Sequence, residues 1–270
     1  MITSRILTIA LVGVCALVGC VGPQIQPNAG TIAQIKNIYI VPMEPPPLSL
    51  DSTYVATGSS SMVHFLPRYT IGMARTAGVL SGVALLLDLP EMSQRQLVYP
   101  PSVQAQVSPV ETWHFSAELA QKAMHLVTAA GKLPTVSLEM QPVPGIQERE
   151  RTVLMENWMA PIRAWYNDTS PSSRYAVLTA KGVGAVAEVG ISNYSIFSGK
   201  MLLQVHVKLI DPRSGRLLGR ARASSYTELP SMDEAFAVDA KVFKESALRA
   251  GTDLLSTCLR ELSVLAPTVN

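Results

Sequence analysis

Residues 201–224 read MLLQVHVKLIDPRSGRLLGRARAS. Apolar side chains recur at Met201, Leu203, Val205, Val207 and Leu209, with Gln204, His206 and Lys208 between them. That period of two is the signature of a strand with one covered face. Asp211-Pro-Arg-Ser-Gly215 follows. Pro212 presets one turn angle, and Gly215 tolerates the positive φ that such a turn needs. The chain returns through Leu217, Gly219, Ala221 and Ala223, alternating with Arg220 and Arg222. The pattern predicts a β-hairpin with one buried and one wet face. His206, Lys208, Arg220 and Arg222 then share the wet face. As a basic strip they are a candidate partner surface for peptidoglycan, lipid headgroups or an acidic protein; as a plain solvated face they carry no function.

The flanking segments extend this into a domain. Ala185–Phe197 is strand-like, and Tyr175–Lys181 reads as a short helix closed by Gly182. Upstream, Ile35–Val41 is a first strand ended by Pro42 and Pro45-Pro-Pro47. Phe115, Leu119, Ala123, Leu126 and Ala130 recur at helical spacing from Thr112, and Gly131 and Pro134 stop that helix. A strand at Thr135–Met140 and a helix from Gln147 to about Trp158 follow, with Pro161 ending or kinking the helix. Downstream, Ser231-Met-Asp-Glu234 forms a capping box. The stripe Phe236, Ala240, Phe243, Ala247, Leu254, Cys258, Leu262 and Leu265 predicts one long terminal helix of roughly 50 Å. The expected class is α/β: a mixed sheet packed by helices, with a C-terminal hairpin and then the long terminal helix. The domain spans residues 35–270.

The beginning of the chain has a different character. One charge, Arg5, precedes Ile6–Val18, an uncharged apolar run too short for the roughly 20 residues of a membrane span. Residues 1–19 read as a secretory signal. Leu17-Val18-Gly19-Cys20 resembles the lipobox of bacterial lipoproteins. The resemblance implies diacylglyceryl transfer to the Cys20 thiol, cleavage before Cys20, and acylation (palmitate or a similar chain) of the new amine. The alternative is an ordinary signal peptide cleaved elsewhere, with Cys20 incidental. Three acyl chains exceed what stable anchoring needs. Val21 in place of Asp implies, by resemblance to enterobacterial sorting, the outer membrane. Residues 20–34 are small, polar and Pro-containing, and read as the tether between lipid and fold.

Residues 48–111 form a Pro-rich apolar insert. Within it, 71–89 (IGMARTAGVLSGVALLLDL) reads as a buried helix, a partner contact or a membrane-dipping segment. Elsewhere the sequence excludes more chemistry than it offers. After signal removal the net charge of +2 loses Arg5 and falls to about +1, which gives no footprint for nucleic acid. Cys258 is then the only cysteine besides Cys20, so no disulfide scaffold is available, and its place on the helical stripe makes it a small core residue. Among His64, His114, His125 and His206, no pair has i, i+4 spacing. Glu111, His114 and Glu118 read as a solvated helix end rather than a metal site. Gly182-Val-Gly184-Ala-Val-Ala187 fits a relaxed dinucleotide fingerprint, but a β-rich run follows where a helix is required. No metal and no cofactor are expected.

Thr112–Ala266 resembles periplasmic lipoproteins related to the curli secretion lipoprotein and the amino-terminal domain of TolB. The matching features are Val186–Asn193, the hairpin with its Asp211–Gly215 turn, and the capped helix from Asp233. The resemblance implies a lipid-anchored domain on the periplasmic face of the outer membrane. Its role would be a non-catalytic structural or accessory part of an envelope assembly, with an envelope protein or further copies of itself as partner. Pore formation does not carry over, because residues 48–111 depart from the barrel hairpins of the curli pore. The alternative is an auxiliary lipoprotein of a lipid or solute transporter that binds acyl chains. An envelope hydrolase is the remaining reading, with no G-x-S-x-G nucleophile elbow to support it.

Overall fold

The computed structural model describes residues 22–50, 113–146 and 155–267. The signal segment, Cys20, most of the 48–111 insert with its 71–89 stretch, His64, Glu111 and the first residues expected of the second helix lie outside these. The elements in chain order are α1 (Ala29–Gln34), β1 (Asn37–Pro42), β2 (Ser49–Leu50), α2 (Phe115–Ala129), β3 (Leu133–Val136), α3 (Met155–Asn167), a 3-10 turn (Ser173–Tyr175), α4 (Ala176–Thr179), β4 (Ala185–Phe197), β5 (Lys200–Ile210), β6 (Leu217–Glu228) and α5 (Met232–Glu261).

The sheet is mixed, in the order β3-β1-β4-β5-β6, with β2 also pairing β4. β1 runs parallel to both β3 and β4, while β4–β5 and β5–β6 are antiparallel. The α/β class and the hairpin are as the alternation predicts. In the turn, Asp211 Oδ1 accepts from Arg213 N at 2.9 Å, Ser214 Oγ donates to Asp211 Oδ2 at 2.6 Å, and Gly215 takes φ +68°. Ser231 caps α5 by accepting from Glu234 N.

Helices cover both faces. On one face α2 and α5 pack Phe115, Leu119, Phe243, Ala247, Leu255 and Cys258 against Val189, Ile191, Leu203, Val205 and Val207. On the other, α3 lays Trp158, Ile162, Trp165 and Tyr166 over the sheet, joined by Tyr175 and Leu178. Two expectations change here. Pro161 lies inside α3, which runs on to Asn167. Burying two tryptophans and a tyrosine outweighs the roughly 3 kcal/mol that an interior proline costs. The terminal helix is not one straight rod either: backbone angles leave the helical region at Ala237–Ala240, so the apolar stripe bends between Phe236 and Phe243, whose rings stack at 4.8 Å.

β4 contributes one bulge. Register passes from Ile191↔Val205 to Asn193↔Gln204, leaving Ser192 unpaired. Before it, Val189 and Ile191 face the α2/α5 core; after it, Tyr194 and Ile196 do. The extra residue therefore switches strand parity and turns both Ser192 and Asn193 toward α3.

Close approach of α3 to the sheet depends on Gly190, where a Cβ would lie 2.7 Å from the Trp165 ring. Gly190→Ala is expected to cost about 1–3 kcal/mol by overpacking in urea unfolding, whereas a neutral result would show that α3 sits less tightly on β4.

Candidate functional site

The face expected to be wet is roofed by α3. His206, Lys208 and Arg220 are buried, at 2%, 5% and 5% exposure, and Arg222 is half-buried. Burial is affordable because each charge meets specific partners. Lys208 Nζ donates to the backbone carbonyls of Trp165 (2.8 Å) and Asp168 (3.0 Å). Arg220 Nη1 donates to Tyr166 O at 2.8 Å, and its Nε to Pro23 O at 3.0 Å. Two cations thus collect the orphan carbonyls at the C-terminus of α3, where the helix dipole is negative. Each also lies over an aromatic ring, Lys208 over Trp165 at 5.6 Å and Arg220 over Tyr166 at 5.1 Å. Opposite Lys208 in register is Glu188, whose carboxylate accepts from Trp165 Nε1 at 2.8 Å and Tyr175 Oη at 2.6 Å. Burial holds the Lys208 ammonium below its usual range, with Glu188 and Asp168 pulling the other way.

Past this clamp the seam opens into a cavity of about 250 Å3. Met159, Ile162 and Arg163 of α3 form its roof; Ser192, Asn193, Gln204, His206 and Arg222 form its floor and wall. Ser192 Oγ donates to Gln204 Oε1 at 2.5 Å, and Asn193 Nδ2 also reaches that oxygen at 3.5 Å. Ser192 Oγ lies 2.6 Å from His206 Nε2 and, having given its proton to Gln204, accepts one there. His206 is therefore the Nε2–H tautomer, and its buried Nδ1 is an acceptor without a partner among the described residues. Burial first, then the charge of Arg222, pushes the imidazole down to about 3, so it is neutral. A neutral ring of such low basicity is a poor general base, and among the described residues no carboxylate orients its second nitrogen.

The stretch read as a tether is docked on the same seam. Gly22 N donates to Asn167 Oδ1 at 2.7 Å, and Gln24 Nε2 donates to Arg222 O at 3.1 Å. Ile25 and Arg220 exchange both backbone hydrogen bonds, at 2.9 and 2.8 Å, which extends the edge of the sheet. Asn28 caps α1. Only Val21 separates Cys20 from the first residue held by the fold.

Other candidate groups have ordinary roles. Glu118 accepts from Trp113 Nε1 at 2.8 Å, beside His114 at the start of α2. Among the described residues no set of three metal-ligating side chains converges. Gly182 and Gly184 close a short helix and lead into β4, as a strand-entry reading of that motif requires. Cys258 is buried against β5, with its thiol pushed up by desolvation. None of the described helices is long and apolar enough to cross a membrane. Sequence reading missed Ser192, Asn193 and Arg163. The bulge has no sequence mark, and Arg163 lies in the helix expected to stop earlier.

No family model matches the chain, and no curated protein does. Solved structures with a similar outline include a PelC dodecamer from Paraburkholderia phytofirmans, 8% identical, covering 91% of this chain and 97% of that one at TM-score 0.38. The hypothetical protein CT253 from Chlamydia trachomatis is 10% identical, with 86% and 99% covered at TM-score 0.38. Lipoprotein GNA1162 from Neisseria meningitidis is 13% identical, with 72% and 83% covered at TM-score 0.26. At these scores they define neither a family nor a site.

The neutral state of His206 has a consequence for acid stability. Its contribution is complete above the unfolded-state value near 6.5 and is lost as pH falls toward about 3, because only the unfolded chain takes up the proton. Denaturation at successive pH values should show His206→Gln losing stability less steeply than the parent between pH 6.5 and 4, by up to about 1.4 kcal/mol per pH unit. Parallel slopes would contradict the assignment.

Proposed function

We propose that this protein is a lipoprotein of the bacterial outer membrane, held on the periplasmic face through Cys20, with a non-catalytic accessory role in an envelope assembly. The observation that carries the reading is the junction at its start. A segment resembling a signal peptide ends in Leu17-Val18-Gly19-Cys20, and two residues later the chain is hydrogen bonded into the domain at Asn167. Cleavage before Cys20 would leave a lipid-bearing cysteine with almost no slack. A chain anchored this way has a fixed orientation rather than a swinging tether, which suits a structural part.

The non-catalytic part of the reading is supported by how the polar groups are used. Lys208, Arg220 and Glu188 are spent on holding α3, and His206 is held neutral in a hydrogen-bonded chain. The acyl-carrier alternative draws on residues 71–89, outside the described residues, and no feature of the described domain adds to it.

In cells fed an alkyne fatty acid, the native protein should be labelled and should fractionate with the outer membrane. Cys20→Ala should lose the label and leave that fraction. Retained labelling in the variant would contradict the anchor.

A further inference from the structure

The clamp accounts for Lys208 and Arg220 but leaves two cations over. Arg163 and Arg222 line one cavity of about 250 Å3 from opposite sides, α3 above and β6 below, and no carboxylate is among the described residues that line it. Neither guanidinium is paired with a carboxylate among the described residues. Two like charges facing one small, half-closed space repel, and an anion between them removes that cost. The remaining lining fits an oxyanion with an attached polyol. Asn193 and Gln204 bring amide groups, with Ser192 bonded to both Gln204 and His206. A neutral histidine keeps the charge balance of the cavity positive without adding a third cation.

The size and the place narrow the ligand. The volume is below the 300–1,000 Å3 of drug-sized pockets, enough for a headgroup and too small for acyl chains. Asn167, which holds Gly22, lies four residues after Arg163 on α3 and so shares its helical face. Gln24 is bonded to the backbone of Arg222 itself. The N-terminal segment is therefore fastened next to both arginines, beginning at Gly22, two residues after Cys20 in the sequence.

The geometry points to a binding site for a phosphate-bearing headgroup of a membrane lipid, formed by Arg163 and Arg222 with Ser192, Asn193, Gln204 and His206, and brought to the bilayer surface by the short anchor. The phosphate chemistry follows from the two guanidiniums, each able to make bidentate hydrogen bonds to it. The lipid as its source rests on the anchoring proposed above.

The test is calorimetric titration of the full-length protein in neutral detergent with three probes: dihexanoyl-phosphatidylglycerol, dihexanoyl-phosphatidylcholine and inorganic phosphate. Phosphatidylglycerol should bind at least tenfold more tightly than the other two. Arg163→Gln combined with Arg222→Gln should weaken it at least tenfold, and Arg249→Gln, on the exposed side of α5 across the sheet, should not. Arg163→Gln alone, on the outer helix, should weaken binding with an unchanged melting temperature, which keeps the test valid if the double variant unfolds. Phosphate binding as tight as phosphatidylglycerol would overturn the lipid source while keeping a phosphate site. Binding of none of the three probes, or binding indifferent to both arginines, would overturn the site. Cys20 labelling is read separately, so a failed anchor and a failed cavity are distinguishable.

Discussion

The C-terminus of α3 is tied to the sheet beneath it by two buried cations. Lys208 and Arg220 reach up from β5 and β6 to the carbonyls of Trp165, Tyr166 and Asp168, groups that a helix end otherwise leaves without partners. Removing either cation would strand buried carbonyls, at roughly 1–3 kcal/mol each. Arg220 also donates its Nε–H to Pro23 O. One interaction thus fixes the helix, covers the second sheet face and fastens the chain at Pro23.

The polar seam depends on that cover. With α3 in place, the bulge at Ser192 delivers two consecutive polar side chains into a closed seam rather than into water. Without it, Arg163 would be an ordinary surface charge and Gly22 would have no Asn167 to bind. The segment from Gly22 to Ile25, the helix and the cavity form a single mechanical unit.

Much of the fold was legible because periodicity carries it. The hairpin, its Asp211–Gly215 turn, β4 and the capped terminal helix follow from alternation, turn chemistry and the Ser231 cap. The site was less legible, for a physical reason. Gln204, His206, Lys208, Arg220 and Arg222 alternate with apolar residues in the same way whether that face meets water or a helix. The clue lay elsewhere, in Trp158, Ile162, Trp165 and Tyr166, an apolar stripe that needed a surface to cover. Pro161 hid it by suggesting that the helix stops. Residues 22–34 read as a tether because they are short of apolar residues, yet the backbone of Gly22, Pro23 and Ile25 and the side chains of Gln24 and Ile32 dock them, which composition does not report.

The central claim is that the chain is held to the fold from its first residues after Cys20. Amide hydrogen exchange at Ile25 in the full-length protein reports on it directly, since that N–H donates to Arg220 O at 2.9 Å. The account predicts protection of Ile25 close to that of the β6 amides, orders of magnitude slower than an open chain. Exchange at the open-chain rate, with β6 still protected, would contradict it.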